Sequence, residues 1–483
     1  MTFIGDGLET FADRFPDRAA LKCGAVSVSW PELLGKVSAA EEILRSSTGK
    51  GARIALRLKD PVPLLVWFLA CARTARVAMV LDPDWPDPQA EAVLAETAPD
   101  LEITAASPVR LVPEERKARP PRCRPDRERP GADDLFYAGF TSGTTGTPKG
   151  YVRSHGSWLH SFSLSDKEFA APDADCVVLP GRLTHSLHLY GAVYGLCRGL
   201  TVAIAPRFDP RRVLSDLDSA ETGSILFATP TQLHFLAEAA RRGGGGQKVR
   251  QVLASGAKWQ AGDRKRLSMV FPQARLFEFY GASETSFIAV SGPEDPVPPG
   301  SVGRAASGVE LVIGAPGAPN APGVPGPIWV KSGLLFAGYL CGEAPDTRWN
   351  GAWLTFGDRG YLDPDGFLFL TGRESRMIVT SGLNIYPEEV EAVLLDVPEV
   401  AVAVAGGLPD AVRGQRLEAV VQLAGPLPDA EAALLRHCRE KLPAGKVPRK
   451  IHVKEHLPLS PGGKPDIRTI MEALRGDAGE SLS

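Results

Sequence analysis

The chain has 483 residues, more than one hydrophobic core ordinarily serves, so two or more domains are expected. A hydrophobic fraction of 44% and a charged fraction of 23% are those of a soluble globular protein. With 54 basic against 57 acidic residues and a net charge of -3, no basic excess points to nucleic acid or an anionic membrane as a main partner.

In chain order, MTFIGDGLETFADRFPDRAAL lacks a charged segment followed by an apolar one, so no signal peptide is read. LETFADRF spaces apolar residues three and four apart and predicts an amphipathic helix, while RIALRL and VAMVLD read as strands. The longest apolar stretch, PLLVWFLACARTARVAMVL, is broken by Arg73 and Arg76 and does not read as a membrane span. Residues 107–134 are rich in Pro and Arg without apolar periodicity, which predicts a solvated surface connection. DCVVLPG, LTVAIAP, SILFATP, KVRQVLASG and ARLFEFYG are apolar runs ending at Gly, Pro or polar residues. Buried parallel strands have that form, and ligand groups gather on the loops after their C-terminal ends. GAPGAPNAPGVPGPIWVKSG, from residue 314, is a turn region opening into a strand, and FLFLTGR closes the large part. Beyond it the pattern is helix, strand, strand, helix, strand, enough for a small domain. The expected fold class is α/β: a large N-terminal domain of layered α/β sheets over 1–373 and a small α+β domain over 374–483. Seven scattered cysteines without a C-x-x-C pair exclude a disulfide framework or zinc ribbon and fit a reducing, cytoplasmic setting.

FTSGTTGTPKG, residues 140–150, is the first motif with chemistry. Pro148 separates Thr147 from Lys149, so it is not a Walker loop. Gly143 and Gly146 let backbone N–H groups converge, Thr141, Ser142, Thr144 and Thr145 add hydroxyls, and Lys149 adds a charge suited to a polyphosphate. TSGTTGTPKG resembles the phosphate-binding signature of the acyl-adenylate-forming superfamily. Further matches follow in that family's order: LASGAKW (253–259), FYGASET (279–285), WLTFGDRGYLDPDGFLFLTGR (353–373), SGLNIYPEEVE (381–391) and LPLSPGGKPD (457–466). Tyr-x-Arg after the loop, in KGYVRSHGSW, is similar to a bacterial branch of acyl-CoA synthetases.

The resemblance implies an acid–thiol ligase. A carboxylate attacks the α-phosphate of ATP and expels pyrophosphate, and a thiol then takes the acyl group. Both first reactants are anions, so charge must be neutralised and an in-line geometry held. By resemblance Lys149 and the loop hold the β- and γ-phosphates, and Glu284 holds Mg²⁺. Ser255, Gly256, Ala257, Glu278, Phe279, Tyr280, Gly281 and Ser283 line the nucleotide, with Tyr280 presenting its face to adenine. Asp358 accepts from the ribose hydroxyls, assisted by Arg373. Lys464 stabilises the adenylation transition state, and Thr285 and His188 stand among the catalytic candidates, His188 gating the carboxylate with His185 as its rival. Gly382 lines the tunnel for the pantetheine arm of coenzyme A. Asp363 and Asp365 read as a structural turn. The small domain must rotate between half-reactions about the position of Ser375, where the family usually has Asp or Lys. Phe356 also departs from the family's Thr or Ser.

Amino-acid-activating relatives pair the substrate ammonium with an Asp, yet no acid occurs between Asp175 and Asp209. An unpaired buried ammonium is costly, so a neutral hydrophobic acid is expected as the substrate. Three readings stay open: ligation to coenzyme A, ligation to a carrier-protein phosphopantetheine, and a non-adenylating member that only forms the thioester from a supplied acyl-adenylate. A luciferase-like oxygenase has the same adenylating residues.

Overall fold

In the computed structural model, residues 1–105, 110–111, 129–141, 148–169, 173–205, 207–259, 262–342, 344–380, 383–410, 414–459 and 465–480 are described, with backbone alone at 110–111, 384 and 476–480. The apolar runs form a nine-stranded sheet. Its centre is parallel: Thr201–Ile204, Cys176–Leu179, Ser224–Ala228, Val249–Ala254 and Arg275–Tyr280 lie side by side in that order. These central strands are almost entirely buried, as a sheet covered on both faces requires. The helices between them start where the sequence places caps. Thr229 and Gln232 form a capping box at Pro230–Gly243, and Asp209 caps Pro210–Asp218.

A second, seven-stranded sheet carries Val77–Val80 and Arg53–Arg57 beside the hairpin Leu135–Thr141/Lys149–Ser154, with Gly338–Cys341 at its edge. The apolar stretch from Pro61 is the helix Pro61–Arg73, capped by Asp60 and buried from Leu64 to Ala72. It ends at Arg73, and Arg76 turns inward to donate to the Thr48 carbonyl at 2.5 Å. No helix among the described residues is long and apolar enough to cross a membrane. Of the segment 107–134, only 110–111 and 129–134 are described, so most of that expected connection lies outside the described residues. A third sheet contains Glu310–Ala315, Gly326–Lys331, Thr347–Asn350, Trp353–Phe356 and the antiparallel pair Asp358–Leu362/Leu368–Arg373. Asp363 closes the turn in that pair, accepting from the N–H groups of Asp365 at 3.0 Å and Phe367 at 2.8 Å.

The large core runs from Ile4 to Leu368, whereas the C-terminal clusters contain only residues from Ile378 onward. The predicted helix, strand, strand, helix and strand are Pro387–Leu395, Val400–Asp410, Gly414–Leu423, Ala430–Lys441 and Ile451–Lys454. Three elements were not anticipated. The strands Ile378–Thr380 and Leu383–Ile385 are too short to display alternation, and the helix Ile467–Glu480 packs Ile470, Met471 and Leu474 against the small sheet. The chain is thus a mixed α/β protein with a large multi-sheet N-terminal part and a small C-terminal domain.

Candidate active site

The three large sheets converge on the end of strand Arg275–Tyr280. Antiparallel register sets Asp358 opposite Arg373. Asp358, 8% exposed, accepts from the Tyr280 hydroxyl at 2.6 Å on one oxygen and from Arg373 Nε at 2.5 Å on the other. The charge of Asp358 holds the Arg373 guanidinium above its ordinary range, and burial followed by that same charge pushes the Tyr280 hydroxyl well up. Residues spread over nearly a hundred positions therefore form one hydrogen-bonded group. Each carboxylate oxygen of Asp358 keeps acceptor capacity beyond these bonds.

The turn after Tyr280 is tight. A Cβ on Gly281 would stand 1.7 Å from the Ser286 carbonyl oxygen, so only glycine fits there. Ser286 itself is left-handed, with φ of 57°. Thr285 is fully buried, and its hydroxyl accepts from Ala282 N at 3.0 Å, so it is spent on closing its own turn. Glu284, 9% exposed, accepts from the Tyr339 hydroxyl at 2.7 Å, while its backbone carbonyl accepts from Phe336 N at 2.7 Å. Burial, then the charge of Glu284, raises the Tyr339 hydroxyl. Ser283 Oγ donates to Ser186 Oγ at 3.1 Å, in the first turn of the helix Ser186–Cys197.

Thr141 and Lys149 are register partners at the mouth of the Gly/Ser/Thr loop. Ser142, Gly143, Thr144 and Thr145 lie outside the described residues, as do Gly382 and Lys464. Behind the mouth Cys341 packs so closely that a Cβ on Gly150 would be 2.8 Å from its sulfur.

In the adenine segment, Ser255 is buried, Gly256 has φ of 101° and Ala257 is exposed. Glu278, 6% exposed, accepts from Trp259 N at 2.8 Å, and burial pushes its carboxyl up to about 7. Phe279 is turned into the core, its ring 4.7 Å from that of Phe287.

His188 is fully buried, and burial lowers it to about 4, so it is a neutral imidazole. Its ring lies over Gly181, where a Cβ would be 2.0 Å from Cε1. His185, its rival, precedes the helix Ser186–Cys197 with the two rings 5.4 Å apart. One turn further along that helix Tyr190 packs at 5.6 Å from Phe287 and 6.2 Å from Phe227. All three of these rings are at most 8% exposed.

Sequence reasoning assigned no role to Arg153 and did not notice Tyr339. Arg153 was visible only as part of the unusual Tyr-x-Arg segment. Tyr339 lies 55 positions from Glu284 in a segment without a motif, and no local signal marks it.

The family described as AMP-binding enzyme matches residues 8–340, and its AMP-binding enzyme C-terminal domain matches 389–464. An uncharacterised acyl-CoA ligase of Bacillus subtilis strain 168, YhfT, is 35% identical over 94% of this chain and 94% of its own length. A 2-succinylbenzoate–CoA ligase of Bacillus licheniformis is 32% identical over 69% of each chain. The o-succinylbenzoate CoA synthetase of Bacillus subtilis, solved in complex with ATP and magnesium ion, superposes with a TM-score of 0.81 at 27% identity, covering 96% of this chain and 98% of that one. The chain belongs to the AMP-binding enzyme family, among its adenylate-forming acyl-CoA ligases.

Proposed function

We propose that the protein activates a hydrophobic carboxylic acid with ATP, releasing pyrophosphate, and then transfers the acyl group from the adenylate to the thiol of coenzyme A. The observation that carries this reading is the joined pair of acidic sites: Asp358 bridging Tyr280 and Arg373, and Glu284 seated beside them on the turn after Tyr280. Asp358 holds the ribose through its remaining acceptor capacity, and Arg373 lies against the same sugar. Tyr280 keeps its hydroxyl on Asp358, which orients its ring for the adenine.

The residues present fit a divalent cation. Tyr339 occupies one oxygen of the Glu284 carboxylate, and the other has no hydrogen bond among the described residues. Glu284 would hold Mg²⁺ together with phosphate oxygens, and the bound ion would neutralise charge on the leaving pyrophosphate. Lys149 adds a second positive charge at the loop mouth. Ser283, tied to Ser186, borders the carboxylate, with His188 behind it as a neutral group. The interlocked Tyr190, Phe227 and Phe287 rings, with no acid in the sequence between Asp175 and Asp209, support an apolar acyl group.

The domains divide at Arg373, as 1–373 and 374–483. Lys464 serves adenylation and Gly382 admits the thiol arm after the small domain turns about Ser375. The test is pyrophosphate release across a panel of acids, followed by mass detection of the acyl-CoA formed. Silence with every acid, alongside turnover of synthetic acyl-adenylates, would replace this reading with a thioester-forming enzyme that no longer adenylates. Acyl transfer to a carrier protein but not to coenzyme A would replace the acceptor alone.

A further inference from the structure

Arg153 is 1% exposed, and burial lowers its guanidinium to about 10. Among the described residues none of its hydrogen-bond partners is a carboxylate, although the charge of Glu284 acts on it from nearby. Nε donates to Ser157 Oγ at 3.2 Å, Nη1 to the Ser283 carbonyl at 2.8 Å, and Nη2 to Ser286 Oγ at 2.9 Å and the Leu334 carbonyl at 2.6 Å. Burying a cation without an ion-pair partner is expensive, and an apolar side chain would ordinarily pack such a site at less cost. A charge kept there calls for a function.

The partners show what is held. Ser283 and Ser286 flank Glu284 on either side of its turn. Leu334 begins the segment that supplies Phe336 N to the Glu284 backbone and Tyr339 to its carboxylate. Arg153 lies on the strand Lys149–Ser154, where alternation puts Lys149, Tyr151 and Arg153 on one face. One rigid strand face therefore carries the phosphate-loop lysine and the clamp on the acidic turn. A planar five-donor fork can reach several acceptors at fixed angles, which a lysine cannot do.

We propose that Arg153 is a positioning residue for Glu284, locking both flanks of its turn and the Tyr339 segment at a set distance from Lys149. The inference rests on the reading above that Glu284 holds Mg²⁺ with the phosphates of ATP. It makes the Tyr-x-Arg segment part of the metal geometry instead of a variation in core packing.

The test measures ATP affinity by calorimetry with and without Mg²⁺ for the full-length wild type and for Arg153→Met, Arg153→Lys and Ser286→Ala. The ratio of the two affinities reports the metal site, and a purely structural role would not move it. The wild type is expected to bind ATP more tightly with Mg²⁺. Arg153→Met should shrink that gain tenfold or more and leave metal-free affinity within about threefold. Arg153→Lys should fall between them, and Ser286→Ala, which removes one acceptor and keeps the charge, should reduce the gain twofold to fivefold. Should Arg153→Met not fold, Ser286→Ala decides the matter. An unchanged gain in the folded variants overturns the positioning role and leaves the reading of Glu284 standing. A wild type without any gain overturns both.

Discussion

Replacing Glu278 with Gln should stabilise the protein at alkaline pH. The carboxyl is 6% exposed, and burial raises it from 4.5 to about 7. The unfolded chain releases this proton first, near 4.5, and the folded protein releases it only near 7. Between these values the folded state binds more protons than the unfolded one, so stability falls as pH rises through that window and then levels off. A difference of that size corresponds to roughly 3 kcal/mol of lost stability by pH 8. Gln at position 278 keeps an oxygen for Trp259 N but brings an amide N–H₂ to be satisfied, which offsets about 1 kcal/mol. The variant should therefore exceed the wild type by roughly 1–3 kcal/mol at pH 8 and match it or fall slightly below it at pH 5. Urea unfolding followed by tryptophan fluorescence at half-unit intervals from pH 4.5 to 8 measures the difference. A difference between the two proteins that stays constant across that range would refute the argument, because only titration of Glu278 makes it pH-dependent.

His155 should act at the opposite end of the scale. It is fully buried, accepts from Ile4 N at 3.0 Å through Nδ1, and burial lowers it to about 4. Its stabilising effect is complete above 6.5 and is lost as pH falls toward 4, so His155→Asn should flatten the acid limb of the stability profile by about one proton; unfolding measured between pH 6.5 and 4 checks the slope. Lys464→Ala should abolish acid-dependent pyrophosphate release yet retain thioester formation from a supplied acyl-adenylate. Equal loss in both assays would contradict the division of labour. Gly382→Leu should give the mirror image by blocking the thiol arm, and unchanged coenzyme A turnover would count against it.

What could be read from the sequence was local. The turn Tyr280-Gly281-Ala282-Ser283-Glu284 declares itself because its glycine is fixed by the Ser286 carbonyl five positions away and the Ala282 carbonyl accepts from Thr285 N and Ser286 N within the same turn. The parallel strands were legible because burial on both faces leaves continuous apolar runs. Asp358 and Arg373 were legible only through the family resemblance; the register that joins them depends on the hairpin between. Tyr339 was illegible, since it meets Glu284 only after a distant edge strand folds back against Lys149–Ser154. Thr285 stood among the catalytic candidates by resemblance, and its local hydrogen bond from Ala282 N is a contact the sequence does not declare. Glu278 gave no sign of its raised carboxyl, which follows from its burial in the folded chain, against the opposing pull of the Trp259 N–H.

If the small domain turns about Ser375 as proposed, the departure from the usual residue there would keep the same mechanical result. Its predecessor Glu374 accepts from Arg348 at 3.1 Å and Arg359 at 3.4 Å, both in the third sheet of the large domain. Its successor Arg376 donates to Glu388 at 2.9 Å and Glu391 at 2.6 Å, both on the helix Pro387–Leu395 of the small domain. Ser375 itself is exposed between these two anchors. A rotation about its φ and ψ would leave both sets of ion pairs intact, because neither set crosses it. The charged side chain usual at this position would then be dispensable as an anchor, because the adjoining residues already grip the two bodies; the rotation would give up the 3.2 Å hydrogen bond from Met377 N to the Glu374 carbonyl, which spans Ser375.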